Sequence, residues 1–274
     1  MDISSRCAEL REPVVELARL AGARILEVYA QDFDVRHKAD DSPVTAADLA
    51  ADRVLRSGLG ALPGGFPVLS EEVSAPPFAV RHAWQTYWLV DPLDGTRGFV
   101  RRSGEFAVSI ALVHAQKAVL GVVYAPCSDE CYLATRGGGA FKEHGCEPRR
   151  AIRVRVCPAV RPTVLASRSR RDPATRRFLA RVGDAEVLHL GSAIKTCRVA
   201  EGRADASPGF GETSEWDTAA AQCIVEEAGG ALLDLEGRPL RYNTRESLLN
   251  PRFIVFGDVT RGWLALAREG QLAN

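Results

Sequence analysis

Apolar side chains recur at helical spacing in two segments near the N-terminus of this chain. Between residues 10 and 28 they fall every three or four positions, which predicts a helix. Pro13 lies early in that segment, where a proline is tolerated in the first turn or marks the true start of the helix. A second helix is predicted from Leu49 to Leu59, introduced by the segment 43–48 and stopped by Gly60.

Shorter apolar runs after these helices are typical of β-strands. Runs that predict strands lie at 66–70, 87–90, 106–113, 118–125, 132–134 and 140–142. In the third run apolar and small residues largely alternate, as in a strand that is packed on both faces. The fourth run follows within five residues and is predicted to be its antiparallel partner. The last two runs would extend the same sheet.

The second half of the chain alternates between the two kinds of pattern. Strands are predicted at 163–167, 186–189, 231–235 and 253–256, and helices near 172–182, 192–201, 218–228 and 261–268. The helix that ends at 228 is followed by Gly229 and Gly230, a common C-terminal stop. The sequence pattern changes around residues 145–150, from successive strands to alternating strands and helices, which predicts a boundary between two lobes, 1–148 and 149–274. The whole layout predicts a mixed α/β fold.

Composition narrows the possible classes of protein. The 274 residues are 46% hydrophobic and 26% charged, as is usual for a globular protein. Because the formal net charge is zero, the overall electrostatic field gives no argument for nucleic acid or a membrane as a partner. The seven cysteines are scattered without a Cys-x-x-Cys motif, which argues against a zinc site or a disulfide framework and suits a reducing cytoplasm. Neither a signal-peptide stretch nor a run of about 18 apolar residues is present, so we expect a cytoplasmic protein without membrane insertion.

Eleven arginines are concentrated between residues 149 and 181. Read alone, this basic stretch could be a nucleic-acid-binding surface. No interleaved aromatic residues and no binding motif accompany it, so a solvated face is the favoured interpretation and nucleic acid is not expected as a partner. Salt-dependent binding to DNA or RNA would revive the alternative.

Acidic residues stand where predicted strands end or predicted helices begin. The segment 91–96, Asp-Pro-Leu-Asp-Gly-Thr, follows one predicted strand, Glu71 ends another, and Asp217 precedes a helix. Proteins of the α/β class assemble their sites at such positions. A cluster of these carboxylates requires cations, and an all-oxygen set of ligands suits Mg²⁺.

Each of these residues also has a structural explanation. The segment 91–95 is a good turn sequence, Asp217 could be a helix N-cap, and Glu71 could be a solvated loop residue. Asp48 stands three residues after Thr45, as in a capping box. Taken together, however, four or five acids in such positions favour a functional site.

Phosphate-ester hydrolysis would use all of these groups. The reaction needs charge neutralisation at the phosphoryl oxygens, a water molecule in line for attack and a stabilised leaving oxygen, which Mg²⁺ held by such carboxylates can provide. If Gly95 and Thr96 open a helix or a tight turn, their backbone N–H groups can contact phosphate. The Thr96 hydroxyl can orient the water, provided that Asp48 accepts its proton.

Four motifs resemble the inositol monophosphatase superfamily in order and spacing along nearly the whole chain. They are Pro-Val-Thr-Ala-Ala-Asp at 43–48, Ser-Glu-Glu at 70–72, Asp-Pro-Leu-Asp-Gly-Thr at 91–96 and Trp-Asp-Thr-Ala-Ala at 216–220. Other segments resemble its bacterial 3′(2′),5′-bisphosphate nucleotidases, namely 95–99, 102–106, 121–126, 190–195, 200–202 and 242–251. The resemblance implies an α/β (α+β) layered sandwich of alternating helix and sheet layers, the inositol-monophosphatase-like sugar phosphatase fold, with a metal site between two lobes.

The resemblance also implies an activity and its residues. These enzymes convert 3′-phosphoadenosine 5′-phosphate to AMP and phosphate, which clears a by-product of sulfate assimilation, and a metal-activated water attacks phosphorus directly. Two or three Mg²⁺ ions would be bound by Glu71, Asp91, the carbonyl of Leu93, Asp94 and Asp217. Catalysis would depend on Asp48, Glu71 and Thr96, and the phosphorylated substrate would contact Gly95, Thr96, Ser192, Lys195 and Asp217. Without the resemblance, Ser192 would be interpreted as a helix N-cap and Lys195 as a solvated lysine of the first turn.

Two departures from the nucleotidases bear on the substrate. Gly209 stands where they usually carry a basic residue, and Arg170 stands where they often carry histidine. Arg170, Arg171 or Arg203 could compensate by pairing with a second phosphate. A phosphatase of inositol or other sugar monophosphates is therefore the alternative, and a non-catalytic phospho-ligand-binding protein is a more remote one. The family resemblance alone implies inhibition by lithium, and we expect a monomer or a homodimer.

Overall fold

The computed structural model describes residues 2–37, 43–158, 160–168 and 172–272. The helices are α1 Ile3–Tyr29, α2 Ala46–Ala61, α3 Phe78–Arg81, α4 Thr96–Val100, α5 Pro173–Val182, α6 Ile194–Ala200, α7 Ala219–Glu227 and α8 Trp263–Leu272. The strands are β1 Val35–His37, β2 Pro43–Thr45, β3 Val68–Ser70, β4 Thr86–Asp94, β5 Ala107–His114, β6 Lys117–Ala125, β7 Glu130–Thr135, β8 Gly139–His144, β9 Arg150–Ala151, β10 Thr163–Ser167, β11 Glu186–Leu190, β12 Ala206–Gly209, β13 Ala231–Asp234 and β14 Phe253–Phe256. A 3₁₀ turn spans Glu215–Asp217.

Seven strands form the larger sheet in the order β3-β4-β5-β6-β7-β8-β9. Strand β3 runs parallel to β4, and the later neighbours are antiparallel, including the predicted pair β5–β6, in which Ile110 lies opposite Val122. Alternate side chains of β5 are buried on opposite faces. Ile110 shares a core with α1 and α2, whereas Ala111 and Val113 share a core with α6 and α7. The predicted burial of this strand on both faces is therefore confirmed.

Five strands form the second sheet in the order β11-β10-β12-β14-β13, with both parallel and antiparallel pairs. Helices α5 and α8 cover one face, and their residues Phe178 and Trp263 share a core with Val164 and Phe256 of the sheet. Helices α6 and α7 lie between the two sheets, and their apolar residues share one core with both. The layers therefore alternate as helix, sheet, helix, sheet and helix, which confirms the predicted α/β sandwich.

The bounds of several predicted elements differ from those observed. Pro13 lies in the interior of α1, which begins at Ile3, so its expected place at the start of the helix is wrong. The neighbouring residues Leu10 and Val14 are fully buried against the larger sheet. This packing offsets the roughly 3 kcal/mol that a proline costs inside a helix. Helix α2 likewise continues past Gly60 instead of stopping there.

The sequence pattern does not predict β12, because its residues Pro208 and Gly209 are typical of turns. In the structure this strand lies between β10 and β14, with Ser207 opposite Val255 and Gly209 opposite Phe253. Pairing with its neighbours thus outweighs the local preference of the segment. The strand forms part of the wall of the cavity described below.

Two further expectations concern the chain as a whole. Strands of the larger sheet end at Ala151 and those of the second sheet begin at Thr163, while the lobe boundary at residue 148 stays a prediction. Within the described ranges, no helix combines the length and the apolar character needed to cross a membrane.

Candidate active site

Nine of the ten residues predicted for the site line one cavity of about 480 Å³. They are Glu71, Asp91, Leu93, Asp94, Gly95, Thr96, Ser192, Lys195 and Asp217. The cavity lies where β3 and β4 end, and its walls include β12, the 3₁₀ turn and the start of α6. The tenth residue, Asp48, is buried at the start of α2 and contacts Thr96.

The end of β4 is irregular, and this irregularity brings two carboxylates to the cavity. The pairing of β4 with β5 shifts register between Asp91 and Asp94. Pro92 has no N–H group to donate to a neighbouring strand, and the Asp91 carboxylate accepts the N–H of Leu93 at 3.0 Å. Gly95 follows with a φ of 96°, a left-handed conformation that favours glycine, and α4 begins directly after it. The segment expected to be a simple turn is therefore the irregular end of a strand.

Three of the predicted metal ligands converge on one point. One carboxylate oxygen from each of Glu71, Asp91 and Asp217 lies within 4.8 Å of the other two. Asp91 is 2% exposed. This burial raises the pKa of Asp91 well above its usual range, and the charges of the neighbouring acidic residues raise it further. A bound cation would relieve this repulsion, and a set of carboxylate oxygens fits the ligand preference of Mg²⁺.

Asp94 and Leu93 lie beside this group of three and have partners within the chain. Asp94 lines the same cavity, but its Oδ2 accepts a hydrogen bond from the backbone N–H of Ala193, directly before α6. The carbonyl oxygen of Leu93 accepts a hydrogen bond from the Thr96 hydroxyl at 3.2 Å. The structure thus brings three of the five predicted metal ligands into one cluster, with the other two adjacent in the same wall.

Asp48 connects the first turn of α2 with Thr96. Its Oδ2 accepts the N–H and the hydroxyl of Thr45, each at 2.7 Å, and Thr45 Oγ1 accepts the N–H of Ala47 at 3.1 Å, so the expected capping box is confirmed. Its Oδ1 accepts a hydrogen bond from the Thr96 hydroxyl at 3.3 Å. One carboxylate therefore caps the helix and also stands where it can accept a proton from Thr96.

Asp217 lies in the 3₁₀ turn and is not the N-cap of the following helix α7. Its Oδ2 accepts the N–H of Ser214 at 2.8 Å, and the N-cap of α7 is Thr218, so the N-cap interpretation of Asp217 is wrong. The same turn contains the buried Glu215, which accepts the N–H of Asn243 at 2.8 Å. Burial raises the pKa of Glu215 to about 7. These contacts hold the turn that carries Asp217.

Ser192 and Lys195 lie at the start of α6. Ser192 has a left-handed backbone with a φ of 56°, and the N-cap of α6 is Ala193, so the N-cap interpretation of Ser192 is wrong. The Ser192 hydroxyl accepts the N–H of Ile194 at 3.3 Å. The Lys195 ammonium group donates a hydrogen bond to the carbonyl of Ser192 at 2.9 Å. Both residues line the cavity, as expected of substrate contacts.

Sequence reasoning missed two acidic residues that support or line the site. Asp52 is buried, and its Oδ1 accepts the hydroxyl of Ser70 at 2.6 Å, which fixes the end of β3 next to Glu71. Asp52 lies four residues after Asp48, and this spacing could have indicated that both carboxylates share one face of α2. Glu105 also lines the cavity. It belongs to one of the segments that carry the family resemblance, but no motif assigns it a role.

Basic residues for a second phosphate are few in the described part of the cavity. Arg203 forms an ion pair beyond the C-terminal end of α6 and does not line the cavity. Arg170 and Arg171 lie outside the described residues. Among the cavity-lining residues that the structure describes, the basic ones are Arg97 and Lys195.

The fold and the cavity together define a class of protein, an alternating α/β sandwich that gathers carboxylates at the ends of its strands. The sequence profile of the inositol monophosphatase family matches residues 7–267. The chain belongs to the inositol monophosphatase family, as its motifs predict.

Relatives within this family are similar to the chain along most of its length. The 3′(2′),5′-bisphosphate nucleotidase CysQ of Escherichia coli strain K12 is 48% identical over 246 residues, which cover 89% of this chain and 98% of the relative. The protein of the same name from Salmonella typhimurium is 49% identical with the same coverage. The predicted bacterial nucleotidase branch is thereby confirmed.

Solved structures of the family share the fold. The crystal structure of CysQ from Bacteroides thetaiotaomicron has a TM-score of 0.79 and 39% identity, covering 90% of this chain and 96% of that one. The extragenic suppressor protein suhB from Bartonella henselae has a TM-score of 0.80 and 27% identity, covering 97% of this chain and 100% of that one. The predicted fold is therefore confirmed over nearly the whole chain.

Proposed function

We propose that this protein is a Mg²⁺-dependent phosphatase that hydrolyses the 3′-phosphate of 3′-phosphoadenosine 5′-phosphate to give AMP and inorganic phosphate. The observation that carries the proposal is the 48% identity, over 98% of the relative's length, to a 3′(2′),5′-bisphosphate nucleotidase. The chemistry of the cavity supports it independently. A cytoplasmic location and a monomeric or homodimeric state stay predictions.

The metal would be held by the acidic cluster. Glu71, Asp91 and Asp217 would bind Mg²⁺ through their convergent oxygens, with Asp94 and the carbonyl of Leu93 as further ligands for two or three ions. When bound, Mg²⁺ supplies positive charge to the phosphoryl oxygens and makes water a better nucleophile. Every donor in the set is oxygen, and a bound cation would offset the mutual repulsion of three carboxylates of which Asp91 is buried. Glu71 would take part in catalysis as a member of this cluster.

Thr96 and Asp48 would orient the attacking water. The Thr96 hydroxyl lies 3.3 Å from Asp48 Oδ1 and 3.2 Å from the carbonyl of Leu93, so its proton has an acceptor and its oxygen can accept a hydrogen bond from water. Asp48 is itself held by Thr45, which makes it a fixed acceptor for a proton passed through Thr96. The water oxygen forms a bond to phosphorus as one of its protons passes through Thr96 to Asp48, the bond from phosphorus to the 3′ oxygen breaks, and that oxygen takes up a proton from solvent water.

The rest of the substrate would be bound around this centre. Gly95 and Thr96 open α4, which is the condition for their backbone N–H groups to contact phosphate. Ser192 and Lys195 at the start of α6, together with Asp217, would contact the remainder of the nucleotide. The Lys195 ammonium group offers a positive charge for a second phosphate.

A phosphatase of inositol or other sugar monophosphates is the second candidate. Gly209 favours it, because this glycine lines the cavity beside the ring of Phe253 and supplies no cation there. A bisphosphate needs a second cationic contact, whereas a monophosphate does not.

Phosphate release from 3′-phosphoadenosine 5′-phosphate and from inositol 1-phosphate, measured side by side with Mg²⁺ on one preparation, tests the proposal. A clear preference for the nucleotide is expected. A preference for inositol phosphate would support the second candidate. The absence of release from either compound would contradict both, with the Asp94→Asn variant as the background control.

A further inference from the structure

The loop that precedes β5 lies against three glycines of the cavity wall. The carbonyl oxygen of Glu105 is 2.7 Å from the position that a Cβ atom would take at Gly95, 2.7 Å from that at Gly98 and 3.0 Å from that at Gly191. A Cβ atom at Gly95 or Gly98 would collide with the Glu105 backbone, and one at Gly191 would crowd it, so the three glycines allow the loop to approach this closely. Glu105 is thereby held at the cavity, which it lines together with the three glycines.

The Glu105 carboxylate connects the two sheets. Its Oε2 accepts the N–H of Gly191 at 3.0 Å, and its two oxygens accept hydrogen bonds from the Arg168 guanidinium group at 2.9 and 2.6 Å. Arg168 also donates to the carbonyl of His189 at 2.7 Å. Glu105 precedes β5 of the larger sheet, whereas Arg168 follows β10 and His189 belongs to β11 of the second sheet. The contact therefore fixes the end of β11 relative to the larger sheet.

Two carboxylates hold the turn that leads from β11 into α6. Glu105 accepts the N–H of Gly191 at the start of the turn, and Asp94 accepts the N–H of Ala193 at its end. Between them, Ser192 has a left-handed φ of 56°, a conformation that costs free energy for a residue with a side chain. The surrounding contacts must therefore hold the turn in place.

We propose that Glu105 is a positioning residue of the active site. Held by Arg168, it fixes the turn from Gly191 to Ala193 and so sets where Ser192 and Lys195 meet the substrate. An ordinary surface ion pair would contribute little, but the Glu105 side chain is only 17% exposed and also binds a backbone N–H group. Its removal leaves that group without its acceptor. The inference rests on the proposed function of the cavity.

Steady-state kinetics of the full chain with 3′-phosphoadenosine 5′-phosphate tests this role. Glu105→Ala is expected to raise KM roughly tenfold, because the turn loses a charge-assisted hydrogen bond. Glu105→Gln keeps an acceptor for the Gly191 N–H and should restore most of the lost affinity. Arg168→Ala keeps the bond to Gly191 but removes the support of the carboxylate, so it should raise KM by about threefold.

The split between KM and kcat separates positioning from simple loss of structure. A merely structural role would reduce the amount of folded enzyme, which lowers kcat and leaves KM unchanged. Glu12→Ala is the matched control. Both oxygens of Glu12 accept hydrogen bonds from the Arg149 guanidinium group, each at 2.7 Å, and neither residue lines the cavity. It should leave KM unchanged.

An unchanged KM in Glu105→Ala would overturn the proposal. If that variant does not fold, Arg168→Ala decides by the same criterion. A wild-type protein that is inactive toward the nucleotide would instead contradict the proposed function, so the two failures are distinguishable.

Discussion

The hydroxyl of Thr96 lies 3.3 Å from Oδ1 of Asp48, a residue 48 positions earlier in the chain. The other oxygen of the same carboxylate caps helix α2. The Asp48 side chain thus stabilises a helix and is also placed to accept a proton from the Thr96 hydroxyl. Its two contributions can be separated only when rate and stability are measured on the same variant.

Asp48→Asn is expected to lower kcat by roughly 100-fold or more, because an amide cannot accept the proton from Thr96. The asparagine oxygen can still accept the N–H of Thr45, so the melting temperature should fall by only a few degrees. Steady-state kinetics and thermal unfolding of one preparation check both statements. A kcat near that of the wild type would contradict the role of proton acceptor.

Asp94→Asn is expected to reduce the rate by about 100-fold or more, because a ligand carboxylate contributes several kcal/mol to stabilisation of the transition state. Asparagine retains an oxygen for the N–H of Ala193, so the neighbouring turn should be preserved. Glu12→Gln removes a carboxylate outside the cavity and serves as the matched control. Turnover by Asp94→Asn at the rate of the control would refute the metal assignment.

Mg²⁺ is expected to raise the melting temperature by a few degrees, since an ion bound to the folded cluster relieves repulsion among Glu71, Asp91 and Asp217. Thermal unfolding with Mg²⁺, with EDTA and with NaCl at matched ionic strength measures the effect. Asp217→Asn should show a smaller shift. The same melting temperature in all three solutions would mean that the cluster does not bind the metal.

A buried ionic group outside the cavity predicts loss of stability in acid. Burial raises the pKa of Glu130, but hydrogen bonds from Arg198 and Lys142 outweigh it and lower the pKa from 4.5 to about 2. Because the folded-state pKa is the lower one, the group contributes stability above pH about 4.5 that is lost as the pH falls toward 2.

Urea unfolding of the wild type and of Glu130→Gln, compared from about pH 6 down to about pH 3, tests this dependence. The variant should be less stable near neutral pH and should lose less stability on acidification. Parallel curves for the two proteins would show that Glu130 does not carry the effect.

Gly209→Ala is expected to destabilise the protein by about 1–3 kcal/mol. A Cβ atom at Gly209 would lie 2.3 Å from the ring of Phe253, so the ring must move, and KM for the nucleotide should change because both residues line the cavity. Gly60→Ala is the matched control, since nothing lies within 4 Å of its Cβ position in α2. It should stabilise the protein by about 0.5–1 kcal/mol. Equal unfolding free energies for the two variants would contradict the steric argument.

The sequence by itself determined the family and most of the elements. Apolar periodicity is a local property, so the antiparallel pair β5–β6 and the helices α5 to α8 could be predicted from neighbouring residues. The motif at 91–96 likewise identifies its acidic residues without any knowledge of the fold. Local preference failed for β12, whose Pro208 and Gly209 are held in a strand by pairing with Ile254 and Phe253 of β14.

Only the tertiary structure decided which acidic residues lie together and which groups each of them contacts. It places Glu71, Asp91 and Asp217 together, although they come from three separate elements, and it gives Asp94 a second role at the N–H of Ala193. It also brings Glu105 against Arg168 and Gly191 from the other sheet. These contacts arise from how the layers pack on one another, and packing between distant segments leaves no local pattern along the chain.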